Sequence, residues 1–158
     1  MKIRRVTKKD LPEIIEIIKT AFHYQYTGMD TFYCAQQFVD PYSTLTTAPL
    51  YSKEIFIKSM ISDLKNKFKK PFEFFVAETK KEIVGFIVLE KHLGNFWINN
   101  MMVKKEYQGK GIGKKLFKFA TKNKGPLYLG VNAKNPAFKF WKKMGFKEVL
   151  RDVLMIKK

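Results

Sequence analysis

Apolar residues recur at helical spacing in four stretches of the chain. The first follows Thr7 and Asp10, which form a capping box with the carboxylate at the helix N-terminus. The second follows Ser52, the third is opened by residues 108–113, and the fourth follows Pro136. The apolar positions are Leu11, Ile14, Ile15, Ile18 and Phe22; Ile55, Phe56, Met60, Ile61, Leu64 and Phe68; Ile112, Leu116, Phe117 and Ala120; and Ala137, Phe138, Phe140, Trp141 and Met144. This periodicity predicts four helices.

Runs rich in β-branched and aromatic residues predict strands between these helices. Three successive runs with short polar or glycine-containing turns, typical of an antiparallel meander, occupy residues 72–78, 83–90 and 96–103. A short first strand is predicted at residues 3–6, a fifth strand at residues 127–131, and a closing hairpin at residues 146–150 and 153–156.

The order of these elements predicts an α/β fold of the α+β type. We expect one domain over residues 1–158, with a mixed, mostly antiparallel sheet of about six to seven strands flanked by about four helices. Residues 23–50 are irregular because Gly28, Pro41 and Pro49 interrupt them, and only a short helix near residues 31–39 is predicted there.

The charge of the chain is unusual. Its 158 residues carry 31 Lys+Arg and 14 Asp+Glu, a formal net charge of +17. Residues 108–158 alone carry 14 basic and 2 acidic side chains, a net charge of +12. Positive charge concentrated in this way predicts an anionic partner, such as nucleic acid, a membrane surface or a phosphorylated small molecule. A hydrophobic content of 46% excludes wholesale disorder.

Cysteine and histidine usage indicates a reducing compartment and no metal. The lone Cys34 has no partner for an intrachain disulfide, and His23 and His92 lack zinc-ligand spacing. Charged Lys8 and Lys9 stand where a secretory signal would have an apolar segment, and no apolar run reaches membrane-spanning length. We therefore expect a cytoplasmic protein that does not engage a membrane.

A glycine-rich loop separates the strand at residues 96–103 from the following helix. Gly109, Gly111 and Gly113 fall within five positions, although each glycine costs folding entropy. A ligand that approaches the backbone closely explains this cost. Backbone N–H groups at a helix N-terminus bind anions, and Lys110 and Lys114 add positive charge. The loop therefore predicts a phosphate site.

Two common phosphate loops do not fit this segment. A Walker A loop would have its first glycine at Gln108 and a hydroxyl residue at Lys115. The dinucleotide fingerprint, counted from Gly109, would need a third glycine at Lys114.

The loop and its flanks closely resemble the GNAT superfamily of N-acetyltransferases. Residues 97–103 read as the strand before the family's acetyl-CoA pyrophosphate motif, Gln/Arg-x-x-Gly-x-Gly/Ala. Gln108, Gly111 and Gly113 match that motif. Residues 132–146 match its Asn…Ala…aromatic…Gly-Phe motif. Two motifs in the family's order and at its separation make the resemblance specific.

The resemblance extends over nearly the whole chain, because residues 3–10 also resemble the family's first strand and helix entry. It implies a GNAT-like fold with an acetyl-CoA-binding core at residues 96–145. Residues 23–70 are the least typical part, and the resemblance implies that they form the variable side that meets the acceptor.

The resemblance also implies the contacts of acetyl-CoA, the expected co-substrate. Its pyrophosphate would be bound by the backbone amides of Gln108, Gly109, Lys110, Gly111, Ile112, Gly113 and Lys114. Its pantetheine arm would pair with the main chain of Met101, Met102 and Val103, where the family's fourth strand splays from its fifth. Asn135 and Trp141 would lie on the other side of the cofactor. Each has a structural alternative, Asn135 as a helix N-cap before Pro136 and Trp141 as a packed core residue.

The reaction implied by the resemblance is direct attack of a primary amine on the acetyl thioester in a ternary complex. A strand amide near Met102 or Val103 would meet the oxyanion. Trp141 occupies the position of the family's usual tyrosine acid, so coenzyme A can leave as an unassisted thiolate, or a tyrosine within residues 23–70 can supply the proton. Glu78 and Glu90 are the available carboxylate bases, and Asn99 or Asn100 can hold a water but cannot take its proton.

Two other functions are compatible with the sequence. Trp141 and the absence of a glutamate in the strand before the loop favour a GNAT-like domain that binds acyl-CoA without turnover. The net charge of +12 over residues 108–158 favours a nucleic-acid or ribosome-binding module. For the enzyme, we expect a small-molecule or peptide amine as the acceptor, and a monomer or homodimer.

Overall fold

The computed structural model describes residues 1–25, 57–58, 61–62, 64–66, 72–80, 82–92, 94–131 and 135–149. The predicted short helix near residues 31–39 lies outside the described residues, as does most of the predicted acceptor side. Within the second predicted helix, residues 57–58, 61–62 and 64–66 are helical, and Leu64 is buried in the core.

The chain begins with β1 (Lys2–Arg5), which leads through a 3₁₀ turn (Lys8–Asp10) into α1 (Leu11–Gln25). The Asp10 carboxylate accepts hydrogen bonds from the Thr7 N–H at 2.6 Å and the Thr7 hydroxyl at 2.9 Å. This arrangement confirms the predicted capping box. The helix turns Ile17, rather than the predicted Ile15, fully into the core.

Arg4 connects the first strand to two neighbouring elements. Its guanidinium donates two hydrogen bonds to Asp10, at 2.7 and 2.9 Å, and one to Glu78 at 3.0 Å. The hydrogen bonds from Arg4, with smaller contributions from Thr7, outweigh burial and lower the pKa of Asp10 to about 2. Asp10 therefore stabilises the fold only while it is ionised.

Replacement of Asp10 by asparagine is expected to lower the free energy of unfolding by about 2 kcal/mol at pH 7. The folded pKa lies below the unfolded value, so this contribution is present above about pH 4 and is lost as the pH falls towards about 2. Urea unfolding of both proteins at pH 7 and near pH 2 measures the difference, which should shrink at the acid end. Glu16→Gln, which alters an exposed ion pair with Lys19, should change little at either pH.

The sheet has five strands in the described residues, in the order β1-β2-β3-β4-β5. The later strands are β2 (Glu73–Thr79), β3 (Glu82–His92), β4 (Asn95–Val103) and β5 (Leu127–Tyr128). The first four strands pair antiparallel, and β5 runs parallel to β4. This topology confirms the predicted meander and the mixed, mostly antiparallel sheet.

Helices cover both faces of the sheet. On the first face, α1 and Leu64 pack on Val76, Phe86 and Met102. On the second face, α2 (Ile112–Ala120) and α3 (Ala137–Lys143) pack on a core that includes Ile87 and Val103. We call these the α1 face and the α2/α3 face.

A β-bulge interrupts the ladder between β3 and β4. Val88 pairs with Asn100, whereas the next residue of β3, Leu89, pairs with Ile98. Asn99 is therefore an extra residue on β4. The bulge puts Ile98 on the α2/α3 face and Asn100 beside Val88 on the α1 face.

β5 is shorter than the strand predicted at residues 127–131. It pairs with β4 only at Phe96↔Leu127 and Trp97↔Tyr128, and the described residues show no further pairing between the two strands. Among the described residues, nothing pairs with the edge of β4 that faces β5 from Ile98 to Val103. We call this the open edge.

The predicted closing hairpin is only partly described. Residues 146–149 form no strand, and residues 150–158 lie outside the described residues. Of the six to seven strands that we predict for the sheet, the described residues therefore contain five.

Candidate active site

The glycine loop joins the end of β4 to the start of α2. A 3₁₀ turn (Lys105–Tyr107) follows the strand, residues 108–111 form a turn, and α2 begins at Ile112. Gly109 and Gly111 have φ of +73° and +75°, in the left-handed region that side-chain-bearing residues rarely adopt. The backbone path therefore requires glycine at these two positions.

The loop leaves open space in front of its backbone. A Cβ atom added at Gly109 or Gly111 would meet no heavy atom of the described residues within 4 Å. The first amides of α2 have no carbonyl of their own helix to bind. Lys110 and Lys114 are exposed beside them. The geometry thus fits the pyrophosphate of coenzyme A, which would occupy this space and accept from these amides.

Gln108 fixes the loop to the open edge of β4. Its side-chain Nε2 donates to the main-chain oxygen of Val103 at 2.9 Å. The glycine loop and the open edge therefore meet at the same end of β4.

Main-chain groups on β4 alternate between the two neighbouring strands. The Lys104 N–H bonds the Val84 oxygen at 2.8 Å, so Met102 also directs its main chain towards β3. Met101 and Val103 then direct theirs towards the open edge. Met101 and Val103, two of the three predicted pantetheine contacts, thus have main-chain groups on the open edge. Met102, the third, directs its main chain towards β3 and buries its side chain in the core of the α1 face.

A second network supports the 3₁₀ turn before the loop. The Glu82 carboxylate accepts a hydrogen bond from Lys104 Nζ at 2.8 Å and another from the Tyr107 hydroxyl. Lys104 and then Tyr107 lower the pKa of Glu82, while Glu82 raises the pKa of Lys104 and of Tyr107. A cavity of about 390 Å³ adjoins this network and is lined by Thr79, Lys80, Glu82 and Tyr107.

Two predicted cofactor contacts lie at α3. The side-chain oxygen of Asn135 accepts from the Ala137 N–H at 2.8 Å, which makes Asn135 a cap of this helix. Trp141 is 8% exposed and its indole packs edge-to-face against Phe117, Phe140 and Phe146. Both positions match the structural alternatives in the sequence analysis, and their contact with a cofactor stays a prediction.

The structure separates the two candidate carboxylates. Glu78 is held by Arg4 at the β1–β2 pair. Glu90 lies beside the bulge, where its Oε2 accepts from the side-chain Nδ2 of Asn99 at 2.8 Å. The fold thus brings Glu90 and Asn99 together, whereas Glu78 is paired with Arg4.

Sequence reasoning missed two features on the same face. Asn100 is 4% exposed, and neither polar atom of its side chain has a hydrogen-bond partner among the described residues. Trp97 and Tyr128 stack on each other with their ring centroids 5.5 Å apart. The pair of asparagines inside an apolar strand was the available signal for the bulge, because asparagine is depleted in strands.

Two features are absent from the described part of the chain. No group of three or more His, Cys, Asp or Glu residues there is placed to hold a metal ion. None of its helices is both long and apolar enough to cross a membrane.

The splayed α/β sheet with a glycine loop at the end of β4 defines an acetyltransferase fold, and comparisons with known proteins agree. A family model described as "Acetyltransferase (GNAT) domain" matches residues 70–148. The chain therefore belongs to the GNAT superfamily of N-acetyltransferases, as the resemblance predicted. No curated protein matches it significantly in sequence.

Solved structures with this fold include several acetyltransferases. PaiA N-acetyltransferase from Thermoplasma acidophilum, in complex with coenzyme A, is 24% identical with a TM-score of 0.67, over 96% of this chain and 92% of that one. The ribosomal-protein-S18-alanine N-acetyltransferase from Escherichia coli is 17% identical with a TM-score of 0.64, over 94% and 79%. Aminoglycoside 6'-N-acetyltransferase AAC(6')-Ig from Acinetobacter haemolyticus is 11% identical with a TM-score of 0.64, over 100% and 99%. At these identities the likeness establishes the fold.

Proposed function

We propose that this acetyltransferase transfers the acetyl group of acetyl-CoA directly to a primary amine in a ternary complex. One observation carries the proposal: the open glycine loop and the open edge of β4 adjoin, and Gln108 connects them through the Val103 oxygen. A phosphate-bearing thioester with a long, amide-containing arm matches both features. Acetyl-CoA supplies the activated acetyl group and its thiolate leaving group.

The chain binds the two ends of this co-substrate by different means. The amides of residues 108–114 and the side chains of Lys110 and Lys114 hold the pyrophosphate. The main-chain groups of Met101 and the N–H of Val103 at the open edge pair with the pantetheine amides, as an added strand would. One of these two N–H groups also donates to the thioester oxygen as negative charge develops there.

Glu90 and Asn99 prepare the acceptor. A primary ammonium has a pKa near ~10, so at neutral pH it must lose a proton before it attacks. The Glu90 carboxylate takes that proton, directly or through one water. Asn99 orients the carboxylate through the hydrogen bond to Oε2 and leaves Oε1 to face the amine.

The leaving group needs no acid from the chain. The indole N–H of Trp141 is not a proton donor of useful acidity, and its ring is enclosed by aromatic neighbours. Because a thiol has a pKa of only about 8.5, the thiolate departs without protonation at a modest cost in rate.

Calorimetric titration with acetyl-CoA and colorimetric detection of released thiol with a panel of amines together test the proposed function. We expect micromolar to submillimolar binding that weakens with salt, and thiol release with at least one amine. Failure to bind acetyl-CoA at millimolar concentration contradicts the proposal. Binding without thiol release from any amino acid, aminoglycoside, polyamine or peptide N-terminus favours the non-catalytic acyl-CoA-binding alternative.

The same preparation tests the nucleic-acid alternative. RNA affinity that falls steeply with salt but is unaffected by coenzyme A would support a second site on the basic surface. Competition between coenzyme A and RNA would instead assign the basic residues to the cofactor.

A further inference from the structure

An exposed aromatic pair marks the point where β4 and β5 separate. Trp97 and Tyr128 form the last pair of the parallel ladder, with an angle of 27° between their ring planes. They remain 37% and 38% exposed, although both rings are large and apolar. Each ring uses one face for the stack and has further surface available to a ligand.

A carboxylate lies next to this aromatic pair. Glu90 pairs with Trp97 across β3 and β4, so their side chains share one face of the sheet with Cβ atoms about 5 Å apart. The hydrogen bond that Glu90 accepts from Asn99 comes from an uncharged amide. Among the described ion pairs of the chain, none involves Glu90.

Two lysines of the described residues near this point, Lys91 and Lys124, lie on the opposite face. Lys91 pairs with Phe96, and Lys124 Nζ lies 4.7 Å from the centroid of the Phe96 ring. Phe96 pairs with Leu127, which belongs to the α2/α3 core. Lys91 thus lies on the α2/α3 face and Glu90 on the other, whereas Lys124 follows α2 and is paired with Glu73 at 2.6 Å.

Aromatic faces beside a carboxylate recognise an organic cation. Glu90 repels an anionic group, and a neutral apolar group would desolvate this carboxylate without compensation. A cation gains from both the rings and the carboxylate. Trp97 lies two residues before Asn99, which is about 7 Å along a strand. Since Asn99 and Glu90 are proposed to meet the reacting amine, a cation bound at Trp97 would lie only a few bonds from that amine.

We propose that Trp97 and Tyr128 form a subsite for a positively charged group that the acceptor carries in addition to its reacting amine, with the Glu90 carboxylate nearby but reserved for the reacting amine. This inference rests on the proposed function and names the acceptor class as diamines or amines with a quaternary ammonium. Trp97 and Tyr128 determine specificity, and they take no part in the proton transfer.

A matched pair of acceptors isolates the charge. (3-Aminopropyl)trimethylammonium and 4,4-dimethylpentylamine have nearly the same shape and differ by a nitrogen in place of a quaternary carbon. We expect wild type to favour the cation in kcat/KM by about five- to thirtyfold. The preference should fall to within about twofold in Trp97→Leu and Tyr128→Leu and stay intermediate in Trp97→Phe. Comparing the preference between variants cancels the intrinsic difference in reactivity of the two amines.

Phe119→Leu is the matched control, because Phe119 is an exposed aromatic (49%) on α2 and should leave the preference unchanged. If Trp97→Leu does not fold, Tyr128→Leu and Trp97→Phe decide by the same ratio. A preference that is absent in wild type, or that survives in Trp97→Leu and Tyr128→Leu, overturns the proposal. Turnover of other amines without any preference for charge overturns it and leaves the proposed function intact, whereas no thiol release with any amine contradicts both.

Discussion

Replacement of Gly111 by valine is expected to abolish measurable acetyl-CoA binding, a loss of at least about 100-fold. Valine disfavours the left-handed φ of +75° at this position, so the turn shifts and the amides at the start of α2 lose their direction. Two lost hydrogen bonds to a charged phosphate account for a loss of this size. Isothermal titration calorimetry of the purified variant measures the effect.

Gly94→Val is the control for backbone strain. Gly94 lies in the turn between β3 and β4 with φ of +83°, and no heavy atom of the described residues lies within 4 Å of a Cβ added there. Both variants should lose about 1–2 kcal/mol of unfolding free energy from the same strain. Only the change in the glycine loop should weaken binding, and equal binding by both variants would exclude the loop as the pyrophosphate site.

Replacement of Glu90 by glutamine is expected to lower kcat by about 10²–10³-fold at pH 7 with little change in acetyl-CoA affinity. Glutamine keeps the size of the side chain and an oxygen that can accept from Asn99, but it cannot take a proton. The loss should shrink as the pH rises towards the amine pKa of ~10, because the acceptor then arrives already deprotonated. Thiol-release rates from pH 6 to 10 give the profile.

Glu78→Gln distinguishes the two candidate bases. Glu78 is held by Arg4 at the β1–β2 pair, so its loss should affect stability slightly and leave the pH profile as in wild type. A pH-independent loss in Glu90→Gln, or a larger loss in Glu78→Gln, would assign Glu90 a structural role.

The sequence predicts the elements whose causes are local. The meander follows from three apolar runs with short turns. The glycine loop follows from three closely spaced glycines, because glycine is the residue that a backbone with positive φ requires. Gly109 and Gly111 indeed have positive φ. The capping box at Thr7 and Asp10 is equally local, because both partners lie within one turn.

The remaining features depend on contacts between distant segments. Apolar residues 127–131 favour a strand of five residues, but β5 ends at Tyr128 because a strand also needs a partner within hydrogen-bonding distance. The stack of Trp97 on Tyr128 joins residues far apart in sequence and follows from that pairing. The choice of Glu90 over Glu78 depends on the bulge and on Arg4, neither of which strand periodicity alone specifies.

The bulge at Asn99 has a consequence for how sequence change can act on this protein. With Asn99 left out, Asn100, Ile98 and Trp97 would alternate between the two faces as in an uninterrupted strand, each on the face that it occupies now. The sheet itself therefore has no need of Asn99. Losing one codon would leave both halves of β4 in phase with the core while removing the amide that holds Glu90, so the fold and the proposed role of Glu90 are separable within a single strand.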